Sequence, residues 1–74
     1  MKVYVLSYYS KGKREATDGV YGAYSSITKA WQQIDKNVVD FNETIFDFDI
    51  GMNNQVIYTD KGTYLIEIME VDDE

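Results

Sequence analysis

The chain has 74 residues, of which 45% are hydrophobic and 27% charged, with a formal net charge of −6 and neither cysteine nor histidine. A chain this short buries only about 60% of its unfolded surface, so we expect one domain of modest stability over residues 1–74. The lack of cysteine excludes disulfides, thiolate metal sites and thiol nucleophiles, and it fits a reducing cytoplasm.

The chain carries no apolar run close to the roughly 20 residues that a membrane helix needs. Met1, Lys2 and Val3 lead directly into strand-like residues rather than a signal-peptide core. We therefore expect the mature chain to begin at Met1 and to be cytoplasmic, in the host cytoplasm if a phage encodes it.

The charge is divided unevenly along the chain. Residues 1–39 carry six basic and three acidic side chains, whereas residues 40–74 carry ten carboxylates and a single lysine, Lys61. Two interpretations stay open: a solvated surface that keeps a small protein soluble, or an acidic face directed at a basic partner. A nucleic-acid duplex is disfavoured as a ligand of the acidic half, because affinity for a duplex comes mostly from neutralising its phosphates.

The first elements form a predicted hairpin. Residues 2–9, KVYVLSYY, are β-branched and aromatic with apolar groups on both faces, which predicts a central strand. Residues 10–18 are polar and contain Gly12, so they predict an exposed loop that leads to a second strand at residues 19–24.

The apolar period then changes from strand to helix. Ser25 or Ser26 can cap a helix of about three turns. Its apolar stripe recurs at three- and four-residue intervals through Ile27, Ala30, Trp31, Ile34 and Val38. We expect the helix to end within residues 37–42, with Val39 and Phe41 packing back.

Three more strands are predicted in the acidic half. Residues 44–50, TIFDFDI, alternate between apolar and polar side chains. This predicts a buried face of Phe46, Phe48 and Ile50 and a solvent-exposed face of Asp47 and Asp49. Turn residues separate further strands at 55–59 and 63–71, and residues 72–74 are a frayed acidic tail. The fold class is therefore α+β: a four- or five-stranded antiparallel sheet, in the order β-β-α-β-β-β, with one helix packed on one face.

Seven tyrosines lie mostly in the strands, and one helix cannot shelter all of them. We expect part of a tyrosine-rich sheet face to serve self-association, as a homodimer, through Tyr8, Tyr21, Tyr24, Tyr58 and Tyr64. The alternative is that the tyrosines pack around one core with their hydroxyls at its rim. Tyr21 and Tyr24 face opposite sides of a regular strand, unless GVYGAY contains a bulge.

KVYVLSYY, GAYSSITKAWQQI and YLIEIMEVD together resemble a loose group of small uncharacterised proteins from bacteria and their phages. In that group a GVYSS…KA…I segment joins a strand to a helix. The likeness covers the first half of the chain and its last ten residues, but not residues 42–60, and Ala23 stands where a larger β-branched residue is common. It implies a fold and a phage or prophage context, and it implies no activity.

The residue types argue against an enzyme. Without histidine or cysteine the commonest bases near neutral pH are missing, and the serines have no evident partner to activate them. Asp47 and Asp49 share one predicted face, but alternation in any exposed strand produces such a pair. No loop has calcium-site spacing and zinc ligands are absent, so we expect no catalytic residue, no metal and no cofactor.

Protein binding is the favoured class of function. The expected partner-binding face is acidic and consists of Asp40, Glu43, Asp47, Asp49, Glu67 and Glu70. It would imitate a nucleic-acid backbone and occupy a basic cleft of a host protein that handles nucleic acid. Small acidic phage inhibitors, including some anti-CRISPR proteins, are similar in size, charge and lack of cysteine.

The alternative is a domain that binds single-stranded nucleic acid. A tyrosine-rich sheet face can stack bases, and Lys11, Lys13 and Arg14 can contact phosphates from the first loop. The net charge of −6 and the lack of a glycine-aromatic recognition motif argue against it.

Overall fold

Five strands and one helix form the part of the chain that the structure, a computed structural model, describes, namely residues 1–11 and 19–71. In chain order they are β1 (Lys2–Ser10), β2 (Gly19–Tyr24), α1 (Ile27–Asp40), β3 (Ile45–Ile50), β4 (Asn54–Thr59) and β5 (Gly62–Glu70). The strands form one antiparallel sheet in the order β2-β1-β5-β4-β3. The predicted α+β class and element order are confirmed, with five strands rather than four. No helix in the described ranges is long and apolar enough to cross a membrane.

The pairing of β1 with β5 is the longest in the sheet. It runs through nine residue pairs, from Lys2 opposite Glu70 to Ser10 opposite Gly62. Both strands have apolar or aromatic side chains on both faces, and each pairs with a neighbouring strand on either side. β1 and β5 therefore occupy the middle of the sheet.

Helix α1 begins where the serine cap predicts. Ser26 has an extended backbone, and its hydroxyl accepts a hydrogen bond of 3.2 Å from the Lys29 amide. The predicted apolar stripe is confirmed, because Ala30 and Ile34 are fully buried and Ile27, Trp31 and Val38 pack around them. The indole N–H of Trp31 also donates to the Gln55 side chain at 2.9 Å, which ties α1 to β4.

The core lies between α1 and one face of the sheet. Its fully buried apolar side chains come from β1, α1, β4 and β5: Leu6, Ala30, Ile34, Ile57, Tyr64 and Ile66. The expectation that Val39 and Phe41 pack back on this core is wrong, since both are more than half exposed. Val39 lies off the apolar stripe, and Phe41 is the residue at which the helix has already ended.

A bulge in β2 decides where its tyrosines point. Leu6 pairs with Gly22 and Ser7 with Val20, so Tyr21 is an extra residue without a partner in β1. Tyr24 packs on the core, and the Tyr21 ring meets the edge of the Tyr8 ring with centroids 6.4 Å apart. The bulge therefore brings both tyrosines to the helix side of the sheet.

Strand β3 differs from its prediction. A second bulge between Ile45 and Asp47 displaces Phe46 from the alternation. Phe46, Phe48 and Ile50 are all more than half exposed, so the predicted buried face is wrong. The reason is position: β3 is an edge strand, and the closest approach of α1 to the sheet is to β1 and β2, near the opposite edge. Ile45 at the start of β3 still packs against the core.

The sheet face opposite α1 is covered by no helix or strand of the described residues; we call it the open face. The alternation of each strand and its register place the same set of side chains on it. In the order of the strands across the sheet they are Val20 and Ala23 of β2; Val3, Val5, Ser7 and Tyr9 of β1; Thr63, Leu65, Glu67 and Met69 of β5; Asn54, Val56 and Tyr58 of β4; and Asp47 and Asp49 of β3.

We expect Ile34→Ala to lower the free energy of unfolding by about 2 to 4 kcal/mol, because it leaves a cavity in a fully buried site. Val39→Ala in the same helix is the matched control and should change it by less than about 0.5 kcal/mol. Urea unfolding followed by circular dichroism measures both. Equal losses would contradict this packing of α1.

Candidate functional site

The six acidic residues predicted to form one partner-binding face are spread over the molecule. Asp47, Asp49 and Glu67 lie on the open face, with Asp47 and Asp49 along its β3 edge. Asp40 is exposed at the end of α1, and Glu70 lies 3.5 Å from the N-terminal ammonium group. Only three of the six therefore share a surface.

Glu43 lies inside the protein and not on the predicted acidic surface, because it is only 7% exposed. The hydroxyls of Tyr64 and Thr59 donate to its carboxylate at 2.5 Å and 2.9 Å. The Tyr8 hydroxyl lies 3.3 Å from the same carboxylate, and its single proton is shared with the Lys61 carbonyl at 3.1 Å. These donors hold the side chain inside, because a buried carboxylate is stable only where hydrogen bonds replace its water.

The five tyrosines predicted for self-association do not form one face either. Tyr64 is 1% exposed and belongs to the core, so it is not available to a second copy. Tyr8 and Tyr24 pack against the same core from the helix side, and Tyr21 lies next to Tyr8. Tyr58 is the one of the five on the open face.

The predicted nucleic-acid loop lies only partly within the described residues. Lys11 is exposed, and its backbone N–H donates to the Lys61 carbonyl at 2.9 Å. Lys13 and Arg14 fall outside the described ranges, as do the rest of the predicted loop, residues 12–18, and the tail, residues 72–74.

A cleft of about 350 Å³ opens on the helix side, at the end of the sheet where β1 finishes and β5 begins; we call it the first cleft. Aromatic side chains line it together with one carboxylate and two lysines. The lining residues are Tyr8, Ser10, Lys11, Tyr21, Phe41, Glu43, Lys61 and Tyr64.

The end of α1 positions Glu43 in this cleft. Asn42 has a positive φ of 53°, and the amide of Glu43 donates to the Val38 carbonyl at 2.9 Å. With the 3.4 Å bond from the Asn42 amide to the Val39 carbonyl, this is a Schellman C-cap, in which asparagine takes the left-handed position usually held by glycine. The cap turns the chain back, so the next side chain enters the molecule.

The Tyr64 phenol is held in its protonated form. Burial is the largest cause that raises its pKa, and the hydrogen bond and negative charge of Glu43 raise it further. The neighbouring Asn37 side chain partly opposes the rise. Tyr64 therefore acts as a donor to Glu43 and not as a base.

A smaller cleft of about 220 Å³, the second cleft, lies where β1, β4 and β5 meet near the β3 bulge. Three residues of the open face, Tyr9, Tyr58 and Thr63, line it together with the displaced Phe46. Lys11 also reaches its edge, so both clefts share this lysine. Among the described residues, no three histidine, cysteine or acidic side chains come close enough to hold a metal ion.

No protein-family model, curated protein or solved structure matches the chain. The resemblance to small bacterial and phage proteins stays a prediction from the sequence.

The sequence indicates the burial of Glu43 through the residue before it, Asn42. Asn42 follows the last turn of the apolar stripe, and an asparagine there indicates a left-handed cap. Such a cap directs the following residue back toward the core. The charge pattern alone predicts a surface position for Glu43, because it does not distinguish this residue from the exposed carboxylates after residue 39.

We expect Tyr64→Phe to lower the free energy of unfolding at pH 7 by about 1 to 3 kcal/mol, because Glu43 loses its closest donor inside the protein. Tyr9→Phe on the open face is the control and should change it by less than about 0.5 kcal/mol.

The same pair of variants reports the raised pKa of Tyr64. A phenol whose pKa is higher in the folded state contributes stability that is complete below the unfolded value of about 10 and is lost as the pH rises above it. Urea unfolding from neutral to alkaline pH should therefore show a steeper loss above about pH 10 for the wild type and Tyr9→Phe than for Tyr64→Phe. Identical slopes would contradict the raised pKa.

Proposed function

We propose that the protein is a protein-binding module without enzymatic activity, and that it contacts its partner through the open face. The observation that carries the proposal is an apolar sheet face that no helix or strand of the described residues covers.

The centre of the open face is apolar across four strands. Val20, Leu65 and Val56 follow one another across the sheet, with Ser7 between the first two. Val3, Val5 and Met69 extend the patch along the central strands. Val20 and Met69 are more than half exposed, Val3, Val5, Val56 and Leu65 are half-buried, and Ser7 is buried between them. Exposed apolar side chains grouped on one face are typical of a site that another protein covers.

Carboxylates border this apolar centre on one side. Asp47 and Asp49 project from β3, next to Tyr58 and Val56 respectively, and Glu67 lies between Val5 and Asn54. A complementary partner would present an apolar patch bordered by lysine or arginine.

Host proteins that handle nucleic acid offer basic surfaces of this kind. We therefore propose an inhibitor or modulator of such a protein, in the phage or prophage context that the sequence resemblance implies. The open face supports a mixed apolar and acidic contact rather than close imitation of a nucleic-acid backbone, because Glu43 is buried and Asp40 and Glu70 do not belong to that face.

Charge and apolar variants of the open face test this proposal. We expect Asp47→Lys/Asp49→Lys and Val20→Glu/Met69→Glu each to reduce partner capture from a bacterial lysate at least tenfold. The matched controls are Asp35→Lys on α1 and Met52→Glu in the turn after β3; both residues are exposed and lie outside the open face. Quantitative mass spectrometry of the captured proteins gives the readout.

Capture that is equal for the wild type and all variants would contradict the use of the open face. Light scattering of the isolated protein at high micromolar concentration separates a second copy of the chain from a different partner. A dimeric mass that Val20→Glu/Met69→Glu abolishes would make the homodimer the occupant of the open face, and a monomeric mass would exclude it.

The second cleft favours one alternative function, the binding of single-stranded nucleic acid. Tyr9, Tyr58 and Phe46 offer rings for stacking, and Lys11 lies at their edge. The alternative predicts that a labelled oligonucleotide binds at low salt, and that Tyr9→Ala/Tyr58→Ala weakens this binding at least tenfold whereas Tyr4→Ala on the helix side does not. Unchanged fluorescence anisotropy of the oligonucleotide up to high micromolar protein would exclude it.

A further inference from the structure

The first cleft is a site of a different kind from the open face, and it lies on the other side of the sheet. We propose that it binds a small zwitterionic molecule of amino-acid size, with the ligand's ammonium group at Glu43 and its anionic group at Lys11 and Lys61. This inference does not depend on the protein-binding proposal.

The Glu43 carboxylate has room for one more donor. A carboxylate offers about four acceptor positions. Thr59 donates to Oε1, Tyr64 alone donates to Oε2, and the Tyr8 hydroxyl shares its single proton between Oε1 and the Lys61 carbonyl. These three hydroxyls are neutral, and no lysine, arginine or terminal amine within the described residues forms an ion pair with Glu43. An ammonium group would use the remaining position of Oε2 and neutralise a charge that is costly to bury alone.

Aromatic rings line the same cleft as this carboxylate. Tyr8, Tyr21 and Phe41 line the cleft, and the rings of Tyr8 and Tyr21 meet nearly at right angles. Ring faces attract cations within about 6 Å and provide apolar contact for a side chain. The walls therefore favour an amine that carries an apolar group.

Two lysines exclude a simple cation as the preferred ligand. Lys11 and Lys61 line the same cleft, and the Lys61 ammonium group is directed by a 2.8 Å bond to the Phe41 carbonyl, which leaves two of its three N–H donors. A ligand with only a positive charge is repelled by both lysines, and a ligand with only a negative charge is repelled by Glu43. A zwitterion avoids both repulsions, because its ammonium group can lie at Glu43 and its anionic group at the lysines. The cleft volume of about 350 Å³ lies at the small end of the range for ligand sites.

A matched set of three probes tests the charge requirement. L-Phenylalanine carries both charges, phenethylamine lacks the carboxylate, and 3-phenylpropanoate lacks the amine. Each is titrated into the ¹⁵N-labelled protein to about 10 mM, which detects dissociation constants near 1 mM. We expect L-phenylalanine to shift the amide resonances of Tyr21, Phe41 and Lys61 and to bind at least tenfold more tightly than either of the other two.

Two variants assign the charges to residues. Glu43→Gln should abolish the shifts caused by L-phenylalanine. Lys61→Gln should weaken L-phenylalanine at least fivefold and leave phenethylamine no weaker, because only the zwitterion uses the lysine. Lys36→Gln on α1, exposed and away from the cleft, is the control for a lost surface charge.

The proposal is overturned if L-phenylalanine shifts no amide of the cleft, if phenethylamine or 3-phenylpropanoate binds as tightly, or if Lys61→Gln binds L-phenylalanine like the wild type. If Glu43→Gln fails to fold, the three probes and Lys61→Gln still decide the question.

Discussion

The pairing of β1 with β5 is the constraint on which the rest of the structure depends. These two strands are separated by most of the chain, so their nine residue pairs form only after the entropy of closing a long loop is lost. Once paired, they provide a two-sided sheet to which β2 and β4 add, and against which α1 buries Ala30 and Ile34. The first cleft lies at one end of this pairing.

The first cleft takes its shape from a close contact at the end of the β1–β5 pairing, near Gly62. The Tyr8 ring lies directly over Gly62, where the Cβ of any other residue would collide with it. This close approach places the Tyr8 hydroxyl within 3.1 Å of the Lys61 carbonyl and near Glu43. A carboxylate from the end of α1 thus binds hydroxyls from β1, β4 and β5, and it joins the helix to the sheet through polar contacts where the apolar core ends.

The fold separates two surfaces with different chemistry. The open face is broad, apolar at its centre and acidic along β3, which suits a protein partner. The first cleft is small and is lined by aromatic rings, a buried carboxylate and two exposed lysines, which suits a small molecule. Because they lie on opposite faces of the sheet, substitutions at Val20 or Asp49 leave the cleft intact, and substitutions at Lys61 leave the open face intact. The two proposals can therefore fail independently.

Local chemistry in the sequence determined the secondary structure. The period of apolar residues and the Ser26 cap predicted α1 and its buried stripe, because both depend on residues within a few positions of one another. Alternation and turn residues predicted the strands and the α+β class. Tertiary structure decided which predicted faces are covered. Alternation cannot show that β3 lies at the sheet edge, where α1 leaves Phe48 and Ile50 exposed, nor that bulges displace Tyr21 and Phe46. Glu43 shows the same limit, because its burial depends on hydroxyls from β1, β4 and β5 that only the folded chain brings within hydrogen-bond distance of one carboxylate.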